Sequence, residues 1–232
     1  MISAVLTIDD IASKNTPAIV DYLLEKDIHP VMFAVGENVK KYYDEALYVV
    51  KKGIILGNHS YSHPSFSNIS IEEAKEQIDM NEEVLNKLYA DAQVDRIIRP
   101  FRFPYGDKGG KNKETIQNYL KEKGFNKLKD TRVSSPMWKE TGLDKDIDTF
   151  WTFDFCEYNI RPNKDFSLKD VWERVGQLQL EKEKTDLQKD IFHILLMHAH
   201  DETEEMVPEY YKLFIDHLLE KGVSFQKPEF FE

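Results

Sequence analysis

Short apolar runs separated by longer amphipathic stretches constrain this chain more than any other feature of it. Ala4-Val5-Leu6-Thr7-Ile8, Val31-Met32-Phe33-Ala34-Val35, Ile54-Ile55-Leu56 and the run from Phe192 to Met197 are too short for buried helices and long enough for buried strands. Between them lie stretches bounded by helix signals. Thr16-Pro17 predicts a helix start, with Thr16 as N-cap and Pro17 at the first helical position, running to Lys26. The spacing predicts a helix over 39–52, stopped by Gly53. Ser70 and Glu73 form a capping-box pattern ahead of Ala74, Ile78, Leu85 and Leu88. Further helices are expected over 114–123, 168–183 and 207–221. Two more β-prone segments are 97–103, interrupted by Pro100, and 149–155. Strands alternating with helices imply a parallel α/β sheet or barrel. No repeat, low-complexity tract or linker divides residues 1–232, so a single domain is expected. The charge run Glu181-Lys182-Glu183-Lys184 reads as a solvated helix end.

Composition removes several function classes. Hydrophobic residues are 41% and charged residues 31%, a soluble globular balance. No apolar stretch approaches the ~18 residues of a membrane span. The net charge of −11 without a basic stripe argues against nucleic-acid binding, which needs clustered Lys and Arg to neutralise phosphates. The single cysteine, Cys156, rules out a disulfide framework and a thiolate metal cluster, so any metal must be held by His and carboxylates. As an isolated thiol beside the 149–155 segment it reads as an inert packing residue. The N-terminus has no basic region or long apolar run. As it stands, the sequence reads as cytoplasmic, with an extracellular or cell-surface location as the alternative for a trimmed chain.

Ionisable residues collect at the ends of the apolar runs. Asp9 and Asp10 follow the first, His59 and His63 the third, and His198 and His200 the last. Arg102 and Tyr105 close the 97–103 segment and Asp154 the 149–155 segment. In parallel α/β folds, ligands bind at the carboxyl ends of strands. His59 and His63, four apart, would share one side of a helical turn. Alone, that spacing is also compatible with a polar loop. Asp10 from a separate strand end would complete a three-ligand site that leaves positions open for water and substrate. Such a set suits zinc, cobalt or another first-row divalent ion. Of the adjacent aspartates, one could bind the metal while the other takes a proton from water.

Thr7-Ile8-Asp9-Asp10, His59-Ser60-Tyr61-Ser62-His63, Arg102-Phe103-Pro104-Tyr105-Gly106 and Leu195-Leu196-Met197-His198 resemble, in order, the successive motifs of the polysaccharide deacetylase family, carbohydrate esterase family four. Val31 to Gly36 and Gly57-Asn58-His59 add to the resemblance, which spans about residues 5–225. It implies a distorted (β/α) barrel of about seven parallel strands and metal-dependent removal of acetyl groups from N-acetylated amino sugars. It implies further that Asp10, His59 and His63 are the metal ligands and that Asp9 is the general base. His198 would be the general acid, Arg102 would orient Asp9, Asp154 would support Arg102, and Tyr105 would offer its backbone N–H to the oxyanion. Ser60 would brace the loop between the two histidines.

Three positions depart from the family pattern. Ile11 stands where the family has Gly, and is expected to reshape the mouth of the site. Glu157-Tyr158 stands where the family has Asp-Trp; Tyr158 could still pack against the acid histidine. The last motif offers two histidines. His198, directly after the apolar run, is favoured as the acid, with His200 left as a substrate contact or an exposed residue. His193 and His217 are expected to be structural, and His29 to lie in extended chain before Pro30. The leading reading is an N-deacetylase whose partner is a carbohydrate bearing N-acetyl groups. A metal-dependent amidohydrolase on a small non-sugar amide is an alternative. So is a non-catalytic, metal-containing glycan-binding protein, although Asp9, Arg102, Asp154 and His198 would be superfluous to binding alone.

Overall fold

The first apolar run becomes the central strand, β1 (Ile2–Ile11), in the computed structural model, which describes residues 2–178 and 191–231. Nine of its ten residues are buried, as a strand covered on both faces requires. β2 (Val31–Ala34), β3 (Ile55–Asn58), β4 (Phe153–Asp154), β5 (Ile191–His198) and β6 (Ser224–Phe225) pair in parallel in the order β3-β2-β1-β5-β4, with β6 also on β1. β5 follows one edge of β1 from Ile2 to Asp9 without a break. β6 and β2 therefore share the other edge, β6 at Ser3 and Ala4 and β2 from Thr7 onward.

The gap between β3 and β4 is bridged by irregular chain. Asn58 N–H donates to Pro100 O and Arg102 N–H donates to Asn58 O, at 2.9 and 3.0 Å. Thr149 N–H then donates to Phe101 O (2.8 Å) and Thr152 N–H to Ile194 O (2.8 Å). With these single bonds the hydrogen-bonded circuit returns to β5, giving the distorted α/β barrel that the motifs implied. Where a full strand was expected over 97–103, only the Asn58–Phe101 bridge forms. Pro100 has no N–H to donate, and Arg99 spends both backbone groups on Asn126.

Helices α1 (Thr16–Glu25), α2 (Gly36–Lys41), α3 (Tyr43–Lys51), α4 (Ile71–Ala92), α5 (Lys113–Glu122), α6 (Pro136–Glu140), α7 (Leu168–Val175), α8 (Asp201–Met206) and α9 (Tyr210–Glu220) connect the strands. Several differ from expectation. Asn15, not Thr16, occupies the N-cap of α1; the Thr16 hydroxyl instead accepts from Ser13 N–H. The 39–52 helix is two helices meeting at Tyr42, whose backbone is non-helical. The 207–221 helix starts at Tyr210, because Pro208 disfavours helical backbone at Val207 and lacks a donor. α7 ends at Val175, and the rest of the predicted 168–183 helix, with the charge run at 181–184, falls largely outside the described residues. α4 keeps its capping box, and Ala74, Ile78, Leu85 and Leu88 are all buried. No helix of the described residues is long and apolar enough to cross a membrane.

Candidate active site

The carboxyl ends of the strands open into a cleft of about 520 Å³ lined by Asp9, Asp10, His59, His63, His198 and His200 among others. Parallel pairing brings the first and last clusters together: Asp9 lies opposite His198 across β1 and β5. Four of the seven histidines therefore line one cavity. The other three lie outside it. His193 is within 3.3 Å of the Thr152 hydroxyl, His217 packs on Trp172, and His29 sits beside Asp27.

The backbone bends sharply where it presents these side chains. Asp10, Ser60, His63, Tyr105 and Cys156 all adopt positive φ, at 65°, 64°, 58°, 59° and 58°. Left-handed backbone costs a non-glycine residue roughly 1 kcal/mol or more, and such strain gathers at functional sites. Local hydrogen bonds hold it. Asn38 donates to Asp10 O, and Ser60 Oγ accepts from His63 N–H at 3.1 Å. Asn58, fully buried, accepts Ser60 N–H and itself donates to Ile78 O and Glu82 on α4. Glu82 is neutralised by Arg96 and Arg99, both at 2.8 Å. Gly57 is required here by close approach: a Cβ would lie 2.7 Å from Pro100 O.

Asp10, His59 and His63 offer one ligand atom each, all within 4.8 Å of one another. His59 Nδ1 is 2.8 Å from the carbonyl of Arg102, so Nδ1 carries the proton and Nε2 presents its lone pair to the cleft. His59 Nε2 and His63 Nε2 are 3.2 Å apart, and Asp10 Oδ1 is 3.3 Å from the latter. Burial, then the neighbouring His59, push His63 down to about 4, which keeps its imidazole neutral. Burial would raise Asp10, but the bond from His200 and the nearby His63 outweigh it and hold the carboxyl well below the usual range. One carboxylate and two imidazoles facing a cavity are a fitting donor set for zinc or a similar divalent ion.

Asp9 is held differently. Its Oδ1 accepts from Arg102 Nη1 at 2.8 Å, and its Oδ2 lies 3.4 Å from His59 Nε2. Arg102 is fully buried, with its guanidinium 4.4 Å from the Phe33 ring centre and 5.5 Å from that of Trp151. It also donates to Thr149 O and to the Thr7 hydroxyl, and that hydroxyl donates onward to Leu195 O.

Asp154 was expected beside Arg102. The structure puts it beside His198, where Asp154, Glu157 and His198 form a second cluster within 4.8 Å. No hydrogen bond or ion pair joins Asp154 to Arg102 among the described residues; its carboxylate accepts from Cys156 N–H. Asp154 pairs with Leu196 on β5, two residues before His198, and this register sets it on the His198 side. Glu157, fully buried, accepts the backbone N–H of His198 and lies 3.5 Å from its Nδ1. Burial alone would lower His198, but Glu157 above all, and Asp154 after it, push it up to about 10. Burial raises Asp154.

Tyr158 packs edge-on against His198, ring centres 4.6 Å apart, in the manner expected of its position. Ile11 does not shape the mouth; the last residue of β1, it is fully buried in the core. Burial, then Asp154, push the Cys156 thiol up to about 11, leaving it unreactive. Tyr105 is 70% exposed at the rim, its ring 4.5 Å from His63. The N–H groups of Gly106 and Asp107 make the bonds of its turn, and neither bond uses the Tyr105 N–H. Glu157 and His200 had been named from the motifs without these contacts, and Arg161 had not been singled out at all. Glu157 was legible as the acid at the motif position and His200 as the histidine two residues beyond His198; Arg161 carried no spacing signal, because its contact to His200 crosses between loops.

The polysaccharide deacetylase family profile matches residues 2–128. A peptidoglycan-N-acetylglucosamine deacetylase of Bacillus cereus is 33% identical over 143 residues, 60% of this chain and 47% of that protein. The chain thus spans about half the length of that relative. Among solved structures, a peptidoglycan N-acetylglucosamine deacetylase superposes with a TM-score of 0.67 at 21% identity, covering 97% of this chain and 85% of the other. A carbohydrate esterase family four pseudoenzyme from Bacillus anthracis gives 0.56 at 22% identity, covering 96% and 63%. At these identities the structural likeness speaks for the fold alone.

Proposed function

Since the chain belongs to the polysaccharide deacetylase family, we propose that residues 1–232 form one catalytic domain that hydrolyses the acetamide of an N-acetylated amino sugar, releasing acetate. Asp10, His59 and His63 would hold the metal, zinc or alternatively cobalt or another first-row divalent ion. Bound there, it supplies Lewis-acid polarisation of the acetamide carbonyl and makes a water easier to deprotonate. Asp9 is the general base. Arg102 occupies its Oδ1 and leaves Oδ2, on the His59 side, to take the proton of the attacking water. As water oxygen bonds to the carbonyl carbon, the Tyr105 backbone N–H donates to the oxygen on which charge develops. His198 then gives its proton to the amine nitrogen as the carbon–nitrogen bond breaks, yielding acetate and the free amino sugar. The observation that carries this reading is one cleft holding an imidazole and carboxylate ligand set between a fixed carboxylate and a histidine kept protonated.

The test is acetate release from N-acetylglucosamine oligomers by metal-free protein with zinc or cobalt added back, beside Asp9→Asn and His63→Ala. The expected result is release that requires metal and falls in both variants by roughly 100-fold or more. Metal binding without acetate release would favour the non-catalytic reading. Acetate from small amides but not from sugar oligomers would move the substrate class instead.

A further inference from the structure

Asp10 turns its two oxygens to different neighbours. Oδ1 faces His63 and His59, at 3.3 and 3.7 Å from their Nε2 atoms. Oδ2 is 2.6 Å from Nε2 of His200. The other ring nitrogen of His200, Nδ1, is 2.7 Å from Nη2 of Arg161. A guanidinium only donates and does not give up its charge near neutral pH. His200 Nδ1 must therefore accept, so the proton of the neutral ring sits on Nε2 and is donated to Asp10 Oδ2. Arg161 is itself anchored: its Nε donates to Tyr158 O at 2.7 Å and lies 3.3 Å from Glu202.

We propose that Arg161 and His200 form a positioning relay that fixes His200 as the Nε2–H tautomer, presents Asp10 to the metal through Oδ1 alone, and keeps His200 out of the ligand set. The inference rests on reading Asp10, His59 and His63 as the metal site. An imidazole binds a metal through a lone pair. On His200 one nitrogen's lone pair is committed to Arg161 and the other nitrogen carries a proton. A fourth histidine stands within reach of the site and is disarmed by an arginine. The consequence is a three-ligand site in which coordination positions stay open for water and substrate. Partners of this kind behind a metal ligand typically contribute a factor of 10–100 in metal affinity.

The experiment uses the full chain and measures zinc affinity by competition with a chelating dye, with the cobalt(II) absorption spectrum recorded in parallel. His200→Phe keeps the ring volume and removes the donor; it should weaken zinc binding by roughly 10- to 100-fold. His200→Gln restores an N–H donor and should return affinity to within about threefold of the parent, with the cobalt spectrum unchanged. Unchanged affinity in His200→Phe would overturn the proposal. So would a His200→Gln variant as weak as His200→Phe with an altered cobalt spectrum, since that identifies the ring nitrogen as a ligand. If His200→Phe does not fold, Arg161→Leu serves instead: a loss of several-fold is expected, and parental affinity overturns the relay. His63→Ala separates the two levels. If it binds zinc normally, the metal-site reading fails; if it loses zinc while His200→Phe does not, only the relay fails.

Discussion

The two walls of the barrel carry the same site by different means. On one wall β1 and β5 run side by side through eight consecutive pairs, from Ile2–Ile191 to Asp9–His198. There the backbone ladder sets Asp9 opposite His198, and the side chains beneath are mostly apolar, with the buried Thr7 hydroxyl adding one bond across the pair to Leu195 O. On the other wall, between β3 and β4, the ladder thins to the Asn58–Phe101 bridge and the bond from Thr149 to Phe101. Side chains do the ladder's work there: Arg102 ties β1 to Thr149, and Asn58 ties β3 to α4. A continuous wall places functional groups by register, whereas a broken wall must place them by buried polar contacts. Substitutions should therefore cost far more per side chain on the second.

The sharpest test removes the arginine. Arg102→Leu leaves Asp9 buried without its ion-pair partner and strips Thr149 O of its donor. Breaking a buried pair on one side costs about 3–5 kcal/mol. Denaturant unfolding should show a loss of that order, and acetate release should fall by roughly 100- to 10,000-fold as the base loses its orientation. The matched change on the continuous wall is Ile194→Val, at a buried β5 position. It should cost about 0.5–1.5 kcal/mol and leave the rate nearly unaltered. Equal losses at the two sites would end the distinction between the walls.

Next in size is Glu157→Gln, which acts on the acid. His198 works only while protonated, and Glu157 is the leading influence that pushes it up to about 10. Activity that needs this proton is present below the histidine's pKa and lost as pH rises through it. In the parent the alkaline limb should lie near pH 10 if this ionisation limits the rate. Without the Glu157 charge, burial draws His198 downward and the limb moves toward neutrality. A pH–rate profile should show a deficit of roughly tenfold or more at pH 8.5, shrinking as the pH is lowered toward 6. A parallel drop at every pH would show that Glu157 serves packing and not the proton.

A smaller effect is expected at Gly57, where the broken wall comes closest. Gly57→Ala would place a methyl 2.7 Å from Pro100 O and 3.0 Å from the Phe33 ring. Overpacking of this kind costs about 1–3 kcal/mol. Because the Asn58–Phe101 bridge lies one residue on, hydrogen exchange at the Asn58 and Arg102 amides should speed up more than at β5 amides. Uniform acceleration would mean that the two walls open together.

The same contrast decided what could be read in advance. β1, β2 and β5 announce themselves because strands buried on both faces are unbroken apolar runs. Asp9, Asp10 and His198 follow those runs, and His59 and His63 follow the β3 run, so the convergence of these five on one cleft was legible. The broken wall left weaker traces. Segment 97–103 has strand-like composition, yet Pro100 and the bonds to Asn126 confine it to one bridge. Asp154 was assigned to the arginine from the family resemblance, because nothing in a linear sequence shows the β4–β5 register that sets it near His198. The Arg161–His200–Asp10 contacts join the end of β1 to two separate loops and have no periodicity to betray them. Left-handed backbone at Asp10, Ser60 and His63 is equally silent, since glycine is its usual sign and none stands there.

Cys156 offers the finest division between placement by side chain and placement by backbone. It sits on the broken wall at φ 58°, and its N–H donates to Asp154 Oδ1, a bond that any residue but proline could make. The half-buried thiol, with its pKa pushed up to about 11, has no assigned step in the chemistry. If only the backbone bend matters, glycine should serve as well as cysteine. Relief of left-handed strain favours Cys156→Gly by roughly 1–2 kcal/mol. The greater freedom of glycine in the unfolded chain takes back about 0.4–1 kcal/mol. Thermal unfolding should therefore show a variant unchanged or stabilised by up to about 1.6 kcal/mol. Cys156→Val, branched at Cβ and unsuited to positive φ, should instead lose about 1–2 kcal/mol. Acetate release by Cys156→Gly should match the parent. A large loss in that variant would mean that the thiol helps to hold Asp154 and Tyr158 against His198, and that even this bend is governed by side-chain contact.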